Sequence, residues 1–382
     1  MQNIKRFEYI DALRGIAMLC VVLSHAAGAV LAYTSFGAAE FTILRNLGAM
    51  GFRLFFVISS FCIFYTLERH TREERRPVRN FFIRRFFRIA PVFWFGIVLY
   101  TGIFGWTGPR WGPEHPELWH YPLFVFFLCL LHPQTHTTVV PGGWSVSAEM
   151  LFYTTLPFLF RFIRNLATAA CFCVFCVFML TWATWMLRPY VEQVVFAGLP
   201  QDAFAFYWDR FPLILLGGFS FGILLFYLQR SEKLMKLVTR PEVSLAMTIV
   251  SSVCIGLLAV SNLWFLIRPH FYCLCFTVLA LALSTHPWRF FVNGFTVFLG
   301  RISYSTYLLH FLVLRALVEW VPPHAPEIVM NPPSAFFVLL AGGTLLTMPL
   351  AWLSFILIEQ PAIRLGNRII APDKQPGAVR ES

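Results

Sequence analysis

The sequence predicts an all-α, polytopic helical bundle held in a membrane, and three observations predict it. The 382-residue chain is 58% hydrophobic and only 13% charged, whereas soluble domains run at about 45–50% apolar and about 25% charged. Apolar runs of roughly 18–25 residues recur along it, each long enough to cross a hydrocarbon layer as a helix. The basic residues cluster on alternate sides of those runs, as membrane insertion favours.

The runs place about ten spans, at 10–33, 47–67, 89–106, 144–160, 166–187, 211–228, 242–261, 269–285, 302–319 and 335–358. With the N-terminus cytoplasmic, the segments on that side hold 22 of the 30 Lys and Arg. The other side holds five: Arg45, Arg110, Arg188, Arg210 and Arg268. Arg14, Arg53 and Arg315 fall within or at the edges of spans. That asymmetry puts both termini in the cytoplasm. It also accounts for the net charge of +11 without nucleic acid as a partner.

The first span carries YIDALRGIAMLCVVLSH at 9–25. Arg14 and His25 are about three helical turns apart, so they share one face with roughly 16 Å between them along the axis. Asp11 lies one turn before Arg14 and can pair with it. Ala12, Gly15 and Ala17 allow a helix or a ligand to approach closely. Singly, Arg14 reads as an interfacial anchor and His25 as a packing residue. As a pair on one face of a span they point to function, because ionisable groups at depth are costly.

After the second span the cytoplasmic loop at 68–88 ends in RNFFIRRFFRIAP, where Arg84, Arg85 and Arg88 abut the third span. Arg85 and Arg88, one turn apart, can grip a phosphate together. Topogenic charge and anionic-lipid contact explain the same residues equally well. YPLFVFFLCLL at 121–131 is too short to span and predicts a re-entrant or interfacial segment. In the fourth span, GGWSVSAEMLFY at 142–153 sets Glu149 toward the outer side, a lone carboxylate at depth.

CFCVFC in the fifth span has no His or carboxylate nearby, so no metal site is expected there, and all nine cysteines sit in apolar runs. The sixth to eighth spans rest on their apolar runs alone. In the ninth, GRISYSTYLLHF at 300–311 places His310 at mid-depth above Ser303, Tyr304 and Ser305. A hydrogen-bonded core histidine competes with a functional one at that position. PPHAPEIVMNPP at 322–333 reads as a stiff loop. No inverted repeat of the transporter kind is visible. The expected organisation is one membrane domain at 1–367 and a short cytoplasmic tail at 368–382.

These motifs carry a resemblance. FEYIDALRGIAMLCVVLSH resembles the opening signature of the membrane acyltransferase-3 family, in which ten residues separate an Arg from a His; Arg14 and His25 take those positions. GFRLFFVISSFCIFY resembles the family's second-span segment, with Ser60 where a Gly commonly stands. RRFFR resembles its paired-Arg motif through Arg85 and Arg88, and WSVSAEMLFY its Trp-Ser…Glu segment through Glu149. ISYSTYLLH and IEQPAIRL resemble its C-terminal segments and carry His310 and Glu359. The similarity runs from about residue 7 to about 367, and the order and spacing of the motifs make it specific.

The resemblance implies an integral O-acyltransferase of the bacterial cytoplasmic membrane. It would move an acyl group, usually acetyl, from cytoplasmic acyl-coenzyme A to a hydroxyl of a cell-surface or exported carbohydrate or glycolipid. Arg14, Arg85 and Arg88 would hold the coenzyme A phosphates. His25 would act as general base or transient acyl carrier, Glu149 would orient or deprotonate the acceptor hydroxyl, and His310 would assist from a facing helix. The expected partners are acyl-coenzyme A (acetyl-coenzyme A as donor), the glycan acceptor and membrane lipids, with no metal; homo-oligomerisation is left open. A transporter using Arg14, His25, Glu149 and His310 as a proton or substrate path fits the same residues. The missing inverted repeat and the resemblance stand against it.

Overall fold

Backbone polar groups in hydrocarbon must find partners within their own segment, and helices provide them. The computed structural model describes residues 7–33, 38–108, 115–199, 201–261 and 268–373. Arg110 and residues 374–382 of the expected tail lie outside the described residues. The chain is 85% helical, with no strand among the described residues.

The first half comprises α1 (Glu8–Tyr33), α2 (Ala38–Ala49), α3 (Gly51–Glu73), α4 (Pro77–Phe104), α5 (His120–Val125) and α6 (Gly143–Phe162). Next come α7 (Leu166–Val174), α8 (Thr181–Tyr190), α9 (Gln201–Trp208), α10 (Pro212–Leu228), α11 (Glu232–Val238) and α12 (Pro241–Val260). The last are α13 (Arg268–Thr285), α14 (Gly294–Arg301), α15 (Ser303–His324), α16 (Pro326–Met330), α17 (Pro332–Ser354) and α18 (Gln360–Ile370).

Among the described residues, 7 helical runs are long and apolar enough to cross a membrane, and 8 if α14 and α15, bent by 84°, count as one. The sequence reading of about ten therefore exceeds the runs that qualify by length and composition. The two expected spans outside that set are α6 and α13. Both are helical, but polar side chains dilute them: Ser145, Ser147, Glu149 and Arg161 in α6, Arg268 and His270 in α13.

α1 is the central element, packed against α2, α3, α14, α15 and α17. Its small-residue stripe meets a helix. A Cβ on Gly15 would lie 3.0 Å from the Thr296 carbonyl carbon, and one on Gly300 2.6 Å from that of Asp11. Glycine at both positions is what lets α1 and α14 cross at backbone contact. α3 lies between α1, α4, α10 and α13.

Three segments differ from their sequence reading. α4 begins at Pro77, so Arg84, Arg85 and Arg88 lie inside the helix rather than at its mouth. Proline at the first helical position suits this early start, since its missing N–H would be unpaired there anyway. The Pro-rich 322–333 stretch is mostly helical: Pro326 and Pro332 begin α16 and α17, breaking the chain at Ala325 and Asn331. The fifth span runs on through two π-helical turns, Phe175–Leu180 and Val191–Val195.

The 121–131 segment does not span. It forms α5 and the turns Cys129–Leu131 and Pro133–Thr135, with Phe124, Cys129, Leu130 and His136 fully buried. The Trp144 N–H donates to the His136 carbonyl at 3.2 Å, docking this segment on α6. At the opposite end, Arg84 donates to both Glu74 oxygens at 2.7 and 3.0 Å, and Asn80 donates to one at 3.0 Å. This network fixes the α3–α4 turn. α18 packs on α4 and passes residue 368; beyond it the Asp373 carbonyl accepts from the Arg75 N–H at 3.0 Å.

Candidate active site

A cavity of about 90 Å³ inside the bundle brings Arg14, Arg85, Arg88 and Glu149 together, while His25 and His310 lie outside its lining. Its walls include Arg14 from α1, Ser59 from α3, Arg85 and Arg88 from α4, Glu149 and Tyr153 from α6, and Tyr304 and Tyr307 from α15. The volume accommodates a few water molecules or a thin chain rather than a bulky nucleotide.

The charges on these walls are unequally satisfied. Arg14 pairs with Asp11 at 3.6 Å and donates to the Cys62 sulfur at 3.4 Å. Arg85 lies over the rings of Phe81 and Tyr153, at 5.5 and 5.6 Å. Neither Arg85 nor Arg88 makes a hydrogen bond or close ion pair among the described residues. Their nearest opposite charges act from further off: Glu149 on both, Glu359 on Arg88. Glu359 is itself buried and accepts from Ser305 Oγ at 3.1 Å. Two guanidinium forks with open donors at a cavity wall suit an oxyanion.

Glu149 accepts from Tyr153, one turn along α6, at 2.5 Å, and from Ser59 across the α3 interface. The outer position expected of it, apart from the arginines, is not what the fold provides. α6 runs antiparallel to α4, and Tyr153 extends from Glu149 beneath Arg85, so the carboxylate lines the same cavity as Arg14, Arg85 and Arg88.

His310 sits one turn beyond Tyr307 on α15, and His25 faces it from α1. His310 is fully buried, and its Nδ1 lies 2.7 Å from the Tyr307 carbonyl. A carbonyl only accepts, so Nδ1 carries the proton and Nε2 keeps its lone pair in the neutral ring. His310 Nε2 has no hydrogen-bond partner among the described residues. His25 faces it with ring centroids 5.4 Å apart and lies 4.4 Å from the Phe311 ring. Tyr307 joins the two regions: it lines the cavity, and its ring centroid is 5.7 Å from that of His310.

A turn holds Tyr307 in place. Gly142, at φ 77°, precedes the first residue of α6 as its N-cap, and its carbonyl accepts from Tyr307 Oη at 3.1 Å and from Ser145 Oγ at 3.0 Å. A Cβ there would lie 2.8 Å from Tyr307 Oη, so a left-handed residue without a side chain is needed. Sequence reasoning did not single out Ser59, Tyr153, Ser145 or Tyr307. Tyr153 was legible as the i+4 neighbour of Glu149; Ser59 and Tyr307 reach the site only through tertiary packing.

A polytopic helical bundle enclosing an arginine-lined cavity, with the buried His310 facing the half-buried His25, defines an integral membrane protein. Residues 7–352 match the Acyl_transf_3 family, described as an acyltransferase domain, and the chain belongs to that family. It is a membrane acyltransferase. No curated protein and no solved structure matched the chain.

Proposed function

We propose that this membrane acyltransferase takes an acyl group, acetyl in the simplest case, from cytoplasmic acyl-coenzyme A and delivers it to a carbohydrate hydroxyl on the far side of the bacterial cytoplasmic membrane. The observation that carries this reading is the pair of open guanidinium groups, Arg85 and Arg88, on the wall of a narrow cavity also lined by Tyr307, whose ring lies 5.7 Å from that of His310. The polyanionic nucleotide end of the donor rests at the arginine side, with Arg14 assisting. Its thin pantetheine arm runs along the cavity toward the histidines.

The acceptor hydroxyl oxygen attacks the thioester carbonyl, forming the ester C–O bond as the C–S bond breaks. The His25–His310 pair takes the hydroxyl proton and returns it to the departing coenzyme A thiolate. Glu149 balances the charge of Arg85 and Arg88 and holds Tyr153 and Ser59. It is a positioning residue in this scheme. The test is transfer of labelled acetyl from acetyl-coenzyme A by purified protein in lipid, followed by mass spectrometry of glycans from cells with and without the gene. Absence of both transfer and thioester cleavage by folded protein would sink the proposal and favour a transporter.

A further inference from the structure

A second set of cations, with donors left unsatisfied among the described residues, lies at the end of the bundle opposite the Glu74 loop, where α3 begins and α9 turns into α10. Arg53 is 3% exposed, and its Nε and Nη1 are buried with no hydrogen-bond partner among the described residues. Arg210 donates Nη1 to the Phe206 carbonyl at 2.9 Å, but its Nε is buried without a hydrogen-bond partner among the described residues. The two guanidinium groups flank an aromatic pair. Arg53 lies 5.0 Å over Phe52 and Arg210 5.0 Å over Trp144, and these two rings meet edge-on at 4.9 Å.

The local charge is out of balance. Asp209 is the carboxylate whose field reaches both arginines, and it forms no close ion pair with either among the described residues. Arg188 and Arg268 also act on Asp209, though Arg188 has Glu192 at 3.7 Å. Burial and the Arg210 charge hold the nearby His136 imidazole down to about 3, so it adds no charge at neutral pH. A buried guanidinium with open donors is expensive unless an anion completes it. Phe52 also lines the arginine cavity, and the Arg210 charge reaches both Tyr307 and His25. The cluster is thus within electrostatic reach of His25 and Tyr307.

We propose that Arg53 and Arg210 form an oxyanion-binding subsite that receives a carboxylate or phosphate of the acyl acceptor, making the preferred acceptor an acidic sugar unit. This rests on the acyltransfer reading above and adds a substrate class to it. Two guanidinium forks on either side of the Phe52–Trp144 pair give the acceptor an anionic anchor and an apolar surface for the sugar ring.

The experiment uses full-length protein in phosphatidylcholine nanodiscs and has two readouts. In calorimetry, glucuronate and glucose 1-phosphate should bind and glucose should not. Arg53→Gln and Arg210→Gln should each weaken that binding at least tenfold, with Arg53→Lys intermediate, and should leave acetyl-coenzyme A binding unchanged. In labelled-acetyl transfer, the same variants should raise KM for a uronate-containing oligosaccharide at least tenfold and leave KM for its neutral counterpart unaltered. Equal handling of acidic and neutral sugars by the unmodified protein would overturn the proposal, as would unchanged binding in both folded Gln variants. Displacement of the sugars by phosphatidylglycerol in the nanodisc would reassign the subsite to lipid headgroups and overturn the acceptor role. Arginine-dependent sugar binding without any acetyl transfer would instead overturn the acyltransfer reading and leave the anion subsite standing.

Discussion

His25 on α1 and His310 on α15 face each other with ring centroids 5.4 Å apart and planes inclined by 42°. Because the Tyr307 carbonyl holds the Nδ1 proton of His310, Nε2 is the nitrogen available for proton transfer. Residues that act on one proton as a unit lose activity together rather than additively. His25→Ala and His310→Ala should each lower acyl transfer by roughly 10²–10⁴-fold, the range expected for lost acid–base assistance. The double variant should be little worse than either single one. Transfer assays on folded protein check this, and multiplicative losses would mean that the two rings act independently.

Arg85 and Arg88 offer a different signature. Both line the cavity, and in the proposed scheme the donor phosphates they hold are bound alike in ground state and transition state. Arg85→Gln and Arg88→Gln should each raise the KM for acyl-coenzyme A by about tenfold or more, in line with about 1.5–3 kcal/mol for a hydrogen bond to a charged group. Turnover at saturation should stay within about threefold. Steady-state kinetics at low and high salt separate the cases. A kcat loss with unchanged KM would move these arginines from donor binding to the chemical step.

Glu149 accepts two hydroxyl donors and also faces the arginine charge, and substitution can part these functions. In Glu149→Gln the amide oxygen still accepts from Ser59 and Tyr153, so the melting temperature should stay close to that of the unmodified protein. The countercharge is gone, and transfer should fall at least tenfold as the arginines lose their balance. Glu149→Ala should lose both, destabilising the fold by about 1–3 kcal/mol through the orphaned hydroxyls. Full transfer by Glu149→Gln would limit this residue to hydrogen bonding.

The helices and the α1 stripe were legible because apolar runs and small residues act through local chain properties. Gly15 is readable as a point of close approach before Thr296 is known to be what approaches. The grouping of Glu149 with Arg85 was not legible. Depth along a helix follows from sequence position, but a Tyr bridge between antiparallel helices depends on how they pack. Proline misled twice in the same direction: Pro77 and Pro332 start helices, whereas composition alone assigns loops to such places. Arg53 was visible only as an arginine at a span edge. That its Nε and Nη1 find no hydrogen-bond partner among the described residues is a property of the folded interior.

The last prediction concerns the α3–α4 turn, which sets the register of the helix bearing Arg85 and Arg88. Burial pushes the Glu74 carboxyl upward, but the hydrogen bonds from Arg84 and Asn80 outweigh it and hold the group below its usual range. A carboxyl depressed in the folded state contributes stability above its unfolded value, about 4.3, and that contribution disappears as pH falls through the folded value. Glu74→Ala should therefore cost about 1–3 kcal/mol at pH 7, reduced from a fully buried pair because Arg84 is 21% exposed. Its stability should then change less than that of the unmodified protein between pH 5 and the acid limit, the window in which Glu74 takes up its proton. Thermal unfolding in nanodiscs across that range measures both effects. With the turn loosened, Arg85 and Arg88 lose their fixed register, so the KM for acyl-coenzyme A should rise as well. A variant of lowered stability and unaltered KM would show that the turn supports the fold without positioning the donor.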